Sequence, residues 1–258
     1  MDISREATAG KILISIKIII FRFIAFGNFQ RYLSIKKKLL TLAVILKFYE
    51  PQSISLLKLF VCKGDYVIDG GANLGAYTET LAKLVGVDGN VIAVEPLKLL
   101  IPQLLKVNKK YRQVKVVNKA LSNEANTLVI RIPMIGKNLP EPALASLNEL
   151  KDPKIEQIVE TITLDSLSKD IPKISFVKLD LEGFELRALQ SASELLRSHR
   201  PIIQFEENNM EFEIQNYLLI CENYNYVVMS DIKTNHQINF YLIPSEKSTI
   251  FNQNLKRV

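Results

Sequence analysis

The sequence contains no tryptophan, only two histidines and only two cysteines among its 258 residues. Cys62 and Cys221 lie far apart, and no Cys-x-x-Cys pair or Cys/His cluster accompanies them. Structural zinc sites are built from such clusters, so the sequence predicts no metal site. The same scarcity argues against a disulfide framework. It predicts two reduced thiols, as in a cytoplasmic protein.

Long apolar runs without charge are also missing. The most apolar stretch, Ile12 to Phe26, is interrupted by Lys17 and Arg22, so it does not predict a membrane-spanning helix. Three alternatives remain for it: a helix packed on the main domain, a segment lying flat on a membrane, and a signal peptide. Acidic residues near the N-terminus disfavour the third. Because the flanking sequence is basic, residues 11–38 are candidates for peripheral membrane contact.

Basic residues exceed acidic residues by 33 to 27, and much of the excess lies in the first 38 residues. The central part of the chain is close to charge balance. A broad nucleic-acid surface needs clustered lysine and arginine, so the sequence predicts no nucleic-acid partner.

From residue 66 onward, short apolar strands alternate with helices. This alternation predicts an α/β fold with a doubly wound, mostly parallel, Rossmann-like sheet of seven strands that ends in an antiparallel hairpin. A second helical stretch, Leu33 to Tyr49, is expected to end at Pro51. We therefore predict an N-terminal helical extension over residues 1–55 and a main domain over residues 56–258. The seven strands are predicted near residues 66–69, 90–95, 114–117, 176–180, 201–205, 226–229 and 238–243.

The middle of the chain has a weaker pattern. Alternation over Thr127–Ile132 predicts an extra strand at the edge of the fold, and Thr161–Asp165 a short extended piece. Residues 134–157 carry prolines and polar residues with little periodicity, which predicts a long loop. We expect residues 134–160 to form a lid that selects the second substrate. A single helix is predicted from Glu185 to Arg197.

Carboxylates end four of the predicted strands: Asp69, Glu95, Asp180 and Glu206. In an open parallel sheet, ligands bind at the carboxyl ends of the strands. The apolar strand bodies are explained by burial in the core, whereas acids at their ends are not. These residues therefore mark the predicted site, with Glu206 and its neighbour Glu207 as weaker candidates than the other three.

The first of these acids opens the motif Asp69-x-Gly71-x-Asn73-x-Gly75, which lies between a strand and a helix. Glycines permit a tight turn and close backbone approach to a ligand. A turn without any ligand is the alternative, and the dinucleotide spacing G-x-G-x-x-G is absent. An acid suits a ligand with positive charges better than a pyrophosphate. Glu95, at the next strand end, can accept the ribose hydroxyl hydrogens of an adenosine group, as it would in an NAD enzyme.

These motifs together resemble the FkbM-type methyltransferases, which use S-adenosyl-L-methionine and act mainly on hydroxyl oxygens. The resemblance covers about residues 60–210. Its most specific part is Leu164-Asp-Ser-Leu167 followed by Lys178-x-Asp-x-Glu-Gly-x-Glu185. The segments that carry it are Val67–Thr78, Val94–Pro96, Asn118–Leu121, Thr163–Leu167, Val177–Glu185 and the strand end Phe205-Glu206.

The resemblance implies roles for individual residues in donor binding. Asp69, Gly71, Asn73 and Gly75 would hold the methionine part of S-adenosyl-L-methionine, and Glu95 its ribose. The adenine slot would be lined by Ala120, Leu121 and Ser122. The turn after Ser122 departs from the family pattern, because it lacks the glycine expected there.

Two further acids are the predicted catalytic residues. Asp180 is expected to face the donor, and Glu182 to face the acceptor and accept its proton. For Glu185 we favour capping of the helix that it opens. The resemblance implies a small-molecule or glycan acceptor, such as a sugar, a glycolipid or a natural product, methylated on oxygen. The alternatives are an NAD(P)-dependent oxidoreductase and a non-catalytic membrane-associated scaffold.

Overall fold

The computed structural model describes residues 25, 28–45, 51–135, 139–142, 145, 154–207, 210–231, 239–251 and 255–257. The apolar stretch Ile12–Phe26 therefore lies outside the described residues, apart from Ala25, which is fully buried. Within the described residues, no helix combines the length and apolarity that a bilayer crossing requires.

Strands and helices alternate through the described part of the chain. The strands are β1 Tyr66–Gly70, β2 Asn90–Val94, β3 Val114–Val117, β4 Ala120–Leu121, β5 Thr127–Ile135, β6 Leu139–Pro140, β7 Lys154–Ile162, β8 Ile174–Leu179, β9 Ile202–Glu206, β10 Tyr226–Asp231, β11 Asn239–Pro244 and β12 Leu255–Arg257. The α-helices are α1 Phe29–Ile45, α2 Pro51–Phe60, α3 Ala76–Val85, α4 Ile101–Lys110, α5 Leu164–Ser168, α6 Glu185–Gln190, α7 Met210–Tyr224 and α8 Ser248–Phe251.

The main sheet has the strand order β12-β10-β11-β9-β8-β1-β2-β3. The five strands from β9 to β3 pair in parallel, and β11 pairs antiparallel with both β9 and β10. The predicted α/β class, the mostly parallel sheet and the terminal hairpin are confirmed. All seven predicted strands are present, and β12 adds a three-residue strand at the edge beside β10.

Helices cover both faces of this sheet. Val67 of β1 packs with apolar residues of α2, α3 and α4, whereas Ile68, the next residue, packs with those of α5, α6 and α7. Both side chains are fully buried. A parallel sheet with both faces covered has continuous apolar strands, which explains why the strand bodies are easy to recognise in the sequence.

A second, smaller sheet corrects the prediction of a long loop over residues 134–157. Its order is β4-β7-β5-β6, and β5 and β7 pair antiparallel from Thr127–Glu160 to Pro133–Lys154. The loop prediction was wrong for the described residues that belong to β5, β6 and β7. Ile158 is 68% exposed on the outer face of β7, and this breaks the apolar–polar alternation by which a strand is recognised. Residues 136–138, 143–144 and 146–153 lie outside the described residues.

The other boundary corrections involve helix caps. Leu164 begins helix α5, where an extended piece was predicted, because the Thr163 Oγ1 accepts the Ser166 N–H at 3.0 Å. The helix predicted from Glu185 to Arg197 ends at Gln190. A π-helical turn at Leu195–His199 follows it. The Asp165 carboxylate accepts hydrogen bonds from the N–H groups of residues 194 and 195, at 3.0 and 2.9 Å, and so caps the start of this π-helical turn.

Helix α1 lies within residues 1–55, the predicted N-terminal extension, whereas α2 crosses its boundary and ends at Phe60. Helix α1 begins at Phe29 and is described to Ile45, and Pro51 begins α2, whereas it was predicted to end the previous helix. Proline fits the first turn of a helix, since that turn has no partner for its N–H groups. Helix α1 is fastened to α4 through Gln103, whose Nε2 donates to the Gln30 carbonyl at 3.1 Å.

Candidate active site

A cleft opens at the carboxyl ends of β1, β2 and β8. Of the four strand-end acids that marked the predicted site, Glu95 and Asp180 line this cleft, whereas Asp69 and Glu206 do not. The cleft is partly open to solvent, and both polar and apolar residues line it. The lining residues are Gly71, Asn73, Val94, Glu95, Pro96, Leu97, Leu100, Lys119, Ala120, Leu121, Leu128, Ile130, Pro142, Ala145, Asp180, Leu181, Glu182 and Phe184.

The glycine loop after β1 lines the cleft through Gly71 and Asn73. The N–H groups of Gly71 and Ala72 both donate to the Val94 carbonyl at 3.0 Å, which ties the loop to β2. Gly71 has a φ of +74°, and a Cβ built on it would lie 1.8 Å from the Asp180 carbonyl oxygen. Asn73 also adopts a positive φ, of 49°. The loop therefore needs glycine at position 71 because the end of β8 lies directly against it.

Glu95 lies just beyond β2 and faces the cleft with only 4% of its surface exposed. Its Oε2 accepts the Asn73 N–H at 2.8 Å, and its Oε1 accepts the Leu97 N–H at 2.9 Å. Each carboxylate oxygen has a second lone pair for a ligand hydroxyl. Burial raises the pKa of Glu95 to about 7, although these two hydrogen bonds favour the ionised form.

The raised pKa of Glu95 predicts a pH-dependent stability. Between about pH 4.5 and pH 7 the unfolded chain loses this proton while the folded chain keeps it, so the free energy of unfolding falls as pH rises. Glu95→Gln should remove up to about 3 kcal/mol of that fall. Urea denaturation of the ligand-free chain across this range measures it. If the wild-type and variant curves run parallel, the Glu95 pKa is not raised.

A buried charge cluster lies behind the cleft. Asp69 is fully buried, and its Oδ2 accepts the Thr78 hydroxyl at 2.5 Å, whereas its Oδ1 has no hydrogen-bond partner among the described residues. Burial raises the pKa of Asp69, while Lys178 and Thr78 favour its ionised form. Asp69 does not line the cleft, so the structure puts it beneath the glycine loop.

Lys178 is the positive member of this cluster, and sequence reasoning missed it. Its Nζ lies 2.9 Å from the Asp180 Oδ2 and 4.7 Å from the centre of the Tyr77 ring, and the residue is 4% exposed. Burial disfavours its charge, but Asp180 and Asp69 outweigh burial and hold the pKa of Lys178 above its ordinary value. A lysine at the inward-facing position of an apolar strand was the signal available in the sequence.

The two predicted catalytic acids both line the cleft. Asp180 is bound to Lys178 through one oxygen, and its side chain is 38% exposed. Glu182 lies at the exposed rim in a left-handed conformation, with a φ of 54°. Partial burial and the charge of Asp180 raise the pKa of Glu182, and Lys178 opposes them. The structure therefore brings both acids to one end of the cleft.

Glu185 stabilises the turn that carries those acids. It is 2% exposed, and its two carboxylate oxygens accept the N–H groups of Leu181 and Gly183 at 2.6 and 3.0 Å. Burial raises the pKa of Glu185 to about 7. The prediction was that Glu185 caps the helix, whereas both bonds go to N–H groups that precede α6, so Glu185 holds the turn before the helix.

Two of the three residues predicted for the adenine slot line the cleft, and the third does not. Ala120 and Leu121 of β4 line the cleft, whereas Ser122 is buried and its N–H donates to the Ile162 carbonyl at 3.1 Å. Gly75 does not line the cleft. A Cβ on Gly75 would lie 2.9 Å from Leu104 of α4, so close helix packing explains the glycine there.

The described residues hold no group of three or more acidic, histidine or cysteine side chains that could bind a metal ion.

Residues 69–228, more than half of the chain, match the family model described as the methyltransferase FkbM domain. The chain belongs to the FkbM methyltransferase family. No curated protein matches it.

One solved structure similar to this FkbM family member is the FkbM methyltransferase from Methylobacillus flagellatus KT. The two are 18% identical, with a TM-score of 0.51, over 69% of this chain and 43% of that one. This chain therefore spans less than half the length of that protein, and the likeness shows a shared fold. Fibrillarin from Aeropyrum pernix, solved with natively bound S-adenosyl-L-methionine, is 11% identical over 74% of this chain and 73% of that one, with a TM-score of 0.48.

Proposed function

We propose that this FkbM family member is an S-adenosyl-L-methionine-dependent methyltransferase. The observation that carries the proposal is Glu95, a buried carboxylate at the end of β2 that faces a cleft beside the glycine loop. A pair of ribose hydroxyls would satisfy the remaining lone pairs of its oxygens. An apolar wall that includes Ala120 and Leu121 suits an adenine ring.

The charges near the glycine loop fit such a donor. S-adenosyl-L-methionine supplies a methyl group bonded to a positively charged sulfur. Asp180 and Glu182 give this end of the cleft a negative charge, and Gly71 and Asn73 of the glycine loop also line the cleft. These carboxylates would repel the negative charges of a pyrophosphate, which disfavours a dinucleotide ligand.

The acceptor is proposed to be a hydroxyl of a sugar, a glycolipid or a natural product. Glu182 would take the hydroxyl proton, because a pKa raised above its ordinary value makes it a stronger base. Asp180, held by Lys178, would orient the reacting groups. Pro142 and Ala145 from the segment between β6 and β7 line the cleft and would contact the acceptor. Much of the rate enhancement would come from alignment and exclusion of water.

Isothermal titration with S-adenosylhomocysteine and with NAD⁺ tests this function. We expect the first to bind and the second not to bind. Glu95→Gln should weaken the first by on the order of 10- to 100-fold, since hydrogen bonds to a charged acceptor are lost. Glu222→Gln, the same change on an exposed glutamate of α7, is the matched control and should have no effect. NAD⁺ binding without S-adenosylhomocysteine binding would overturn the proposal.

We also propose a cytoplasmic protein that contacts a membrane peripherally through residues 11–38. The apolar and basic composition of that segment supports the contact, since cationic residues beside apolar ones favour a bilayer interface. A lipid-linked glycan would then be reached at the surface.

A further inference from the structure

The net positive charge of the chain is concentrated in three neighbouring helices. Helices α1, α3 and α4 contain eight basic residues and one acidic residue, Glu79. The whole chain has 33 basic and 27 acidic residues, so everything outside these helices has 25 and 26. The eight basic residues are Arg31, Lys36, Lys37, Lys38, Lys83, Lys106, Lys109 and Lys110.

Glu79 is the centre of the cluster where the three helices meet. Its carboxylate lies 2.8 Å from Lys110, 3.6 Å from Lys83 and 3.8 Å from Lys37. Burial lowers the pKa of Lys37, Glu79 raises it, and the charges of Lys110, Lys106 and Lys83 lower it further. One carboxylate therefore pairs with three lysines that repel each other, and the surface keeps an excess of positive charge.

These charges are accessible. The Lys110 and Lys83 side chains are 63% and 49% exposed, and Lys38, Lys106 and Lys109 are also exposed. No carboxylate among the described residues lies within ion-pair distance of those last three. Two apolar side chains of the same helices are exposed as well. Leu39 is 54% exposed and Leu105 51%.

We propose that this lysine face, formed by Lys38, Lys83, Lys106, Lys109 and Lys110, docks on the surface of an anionic phospholipid membrane. Lysines attract the negative headgroups, and Leu39 and Leu105 gain by leaving water at the boundary of the acyl chains. Nucleic acid would satisfy the lysines but not the exposed leucines. The proposal builds on the membrane contact proposed for residues 11–38, and it assigns the electrostatic part to α3 and α4 as well.

Co-sedimentation of the full chain with vesicles tests the lysine face. The vesicles contain phosphatidylcholine alone, or phosphatidylcholine mixed with phosphatidylglycerol. We expect binding only to the second, and weaker binding as salt is raised. The triple variant K38Q/K106Q/K109Q should partition on the order of 100-fold more weakly, because each lysine contributes about a fivefold factor near an anionic surface.

The matched control is K63Q/K169Q/K173Q, which makes the same charge change at exposed lysines that precede parallel strands, at the opposite end of the sheet from the cleft. It should partition like the wild type. Equal melting temperatures and S-adenosylhomocysteine affinities for both variants would show that they fold. If the wild type ignores anionic vesicles, both membrane proposals fail. If K38Q/K106Q/K109Q partitions as strongly as the wild type, the lysine face is not the docking surface. Tighter binding to a labelled RNA oligonucleotide than to vesicles would also overturn it.

Discussion

Gly71→Ala is expected to disrupt the site and to destabilise the chain by about 4 kcal/mol. Two separate costs add at this position. The left-handed φ of +74° disfavours any side chain, and the new Cβ would lie 1.8 Å from the Asp180 carbonyl oxygen. That oxygen belongs to the backbone, so the glycine loop and the end of β8 must move apart. The hydrogen bonds from the loop to Val94 would be disturbed with them.

Gly64→Ala is the matched control for this variant. Gly64 also has a positive φ, of 85°, but nothing lies within 4 Å of a Cβ built there. Gly64→Ala should lower the free energy of unfolding by only about 1 to 2 kcal/mol, which is the effect of placing a side chain on a left-handed backbone. Urea denaturation compares the two stabilities, and titration with S-adenosylhomocysteine compares the sites. Equal losses at the two glycines would contradict the close contact between the loop and β8.

Lys178→Met should be the other strongly destabilising change, with a loss of about 3 to 5 kcal/mol near neutral pH. The side chain is 4% exposed, and its charge balances Asp69 and Asp180. Methionine keeps most of the volume but leaves a fully buried aspartate without its cation. The loss should shrink as pH falls, because protonation of the carboxylates removes the uncompensated charge.

Two comparisons separate lost charge balance from lost packing. Lys115→Met makes the same change at an exposed position of β3, and should alter stability by less than about 0.5 kcal/mol. Asp69→Asn introduced together with Lys178→Met should recover part of the loss, since it removes the uncompensated charge. If Lys178→Met is equally destabilising at low and neutral pH, packing and not charge explains the position.

The main sheet could be predicted because its strands are buried on both faces. Val67 and Ile68 pack on opposite sides and are both apolar, which makes a short uninterrupted run. The smaller sheet could not be predicted in the same way. Ile158 points to solvent on β7 among charged neighbours, and strand pairing with β5 compensates for the missing pattern. The break after Gln190 could not be predicted, because the distant Asp165 caps the residues that follow it, by accepting the N–H groups of residues 194 and 195.

The candidate site was predictable to the level of which strand ends meet. Glu95, Asp180 and Glu182 line one cleft, as their positions after β2 and β8 require. What each residue contacts depends on packing that sequence spacing does not specify. Gly75 fits against α4, and Asp69 is buried with Lys178 beneath the loop. The role of Lys178 depends on two carboxylates from different strands, and only the folded chain shows them together.

A crystal structure of the chain with S-adenosylhomocysteine tests the central claim most directly. We predict that both ribose hydroxyls donate to the Glu95 carboxylate, that the adenine lies against Ala120 and Leu121, and that the sulfur points toward Asp180 and Glu182. A ligand bound elsewhere, or one whose ribose makes no contact with Glu95, would contradict the assignment of this cleft as the donor site.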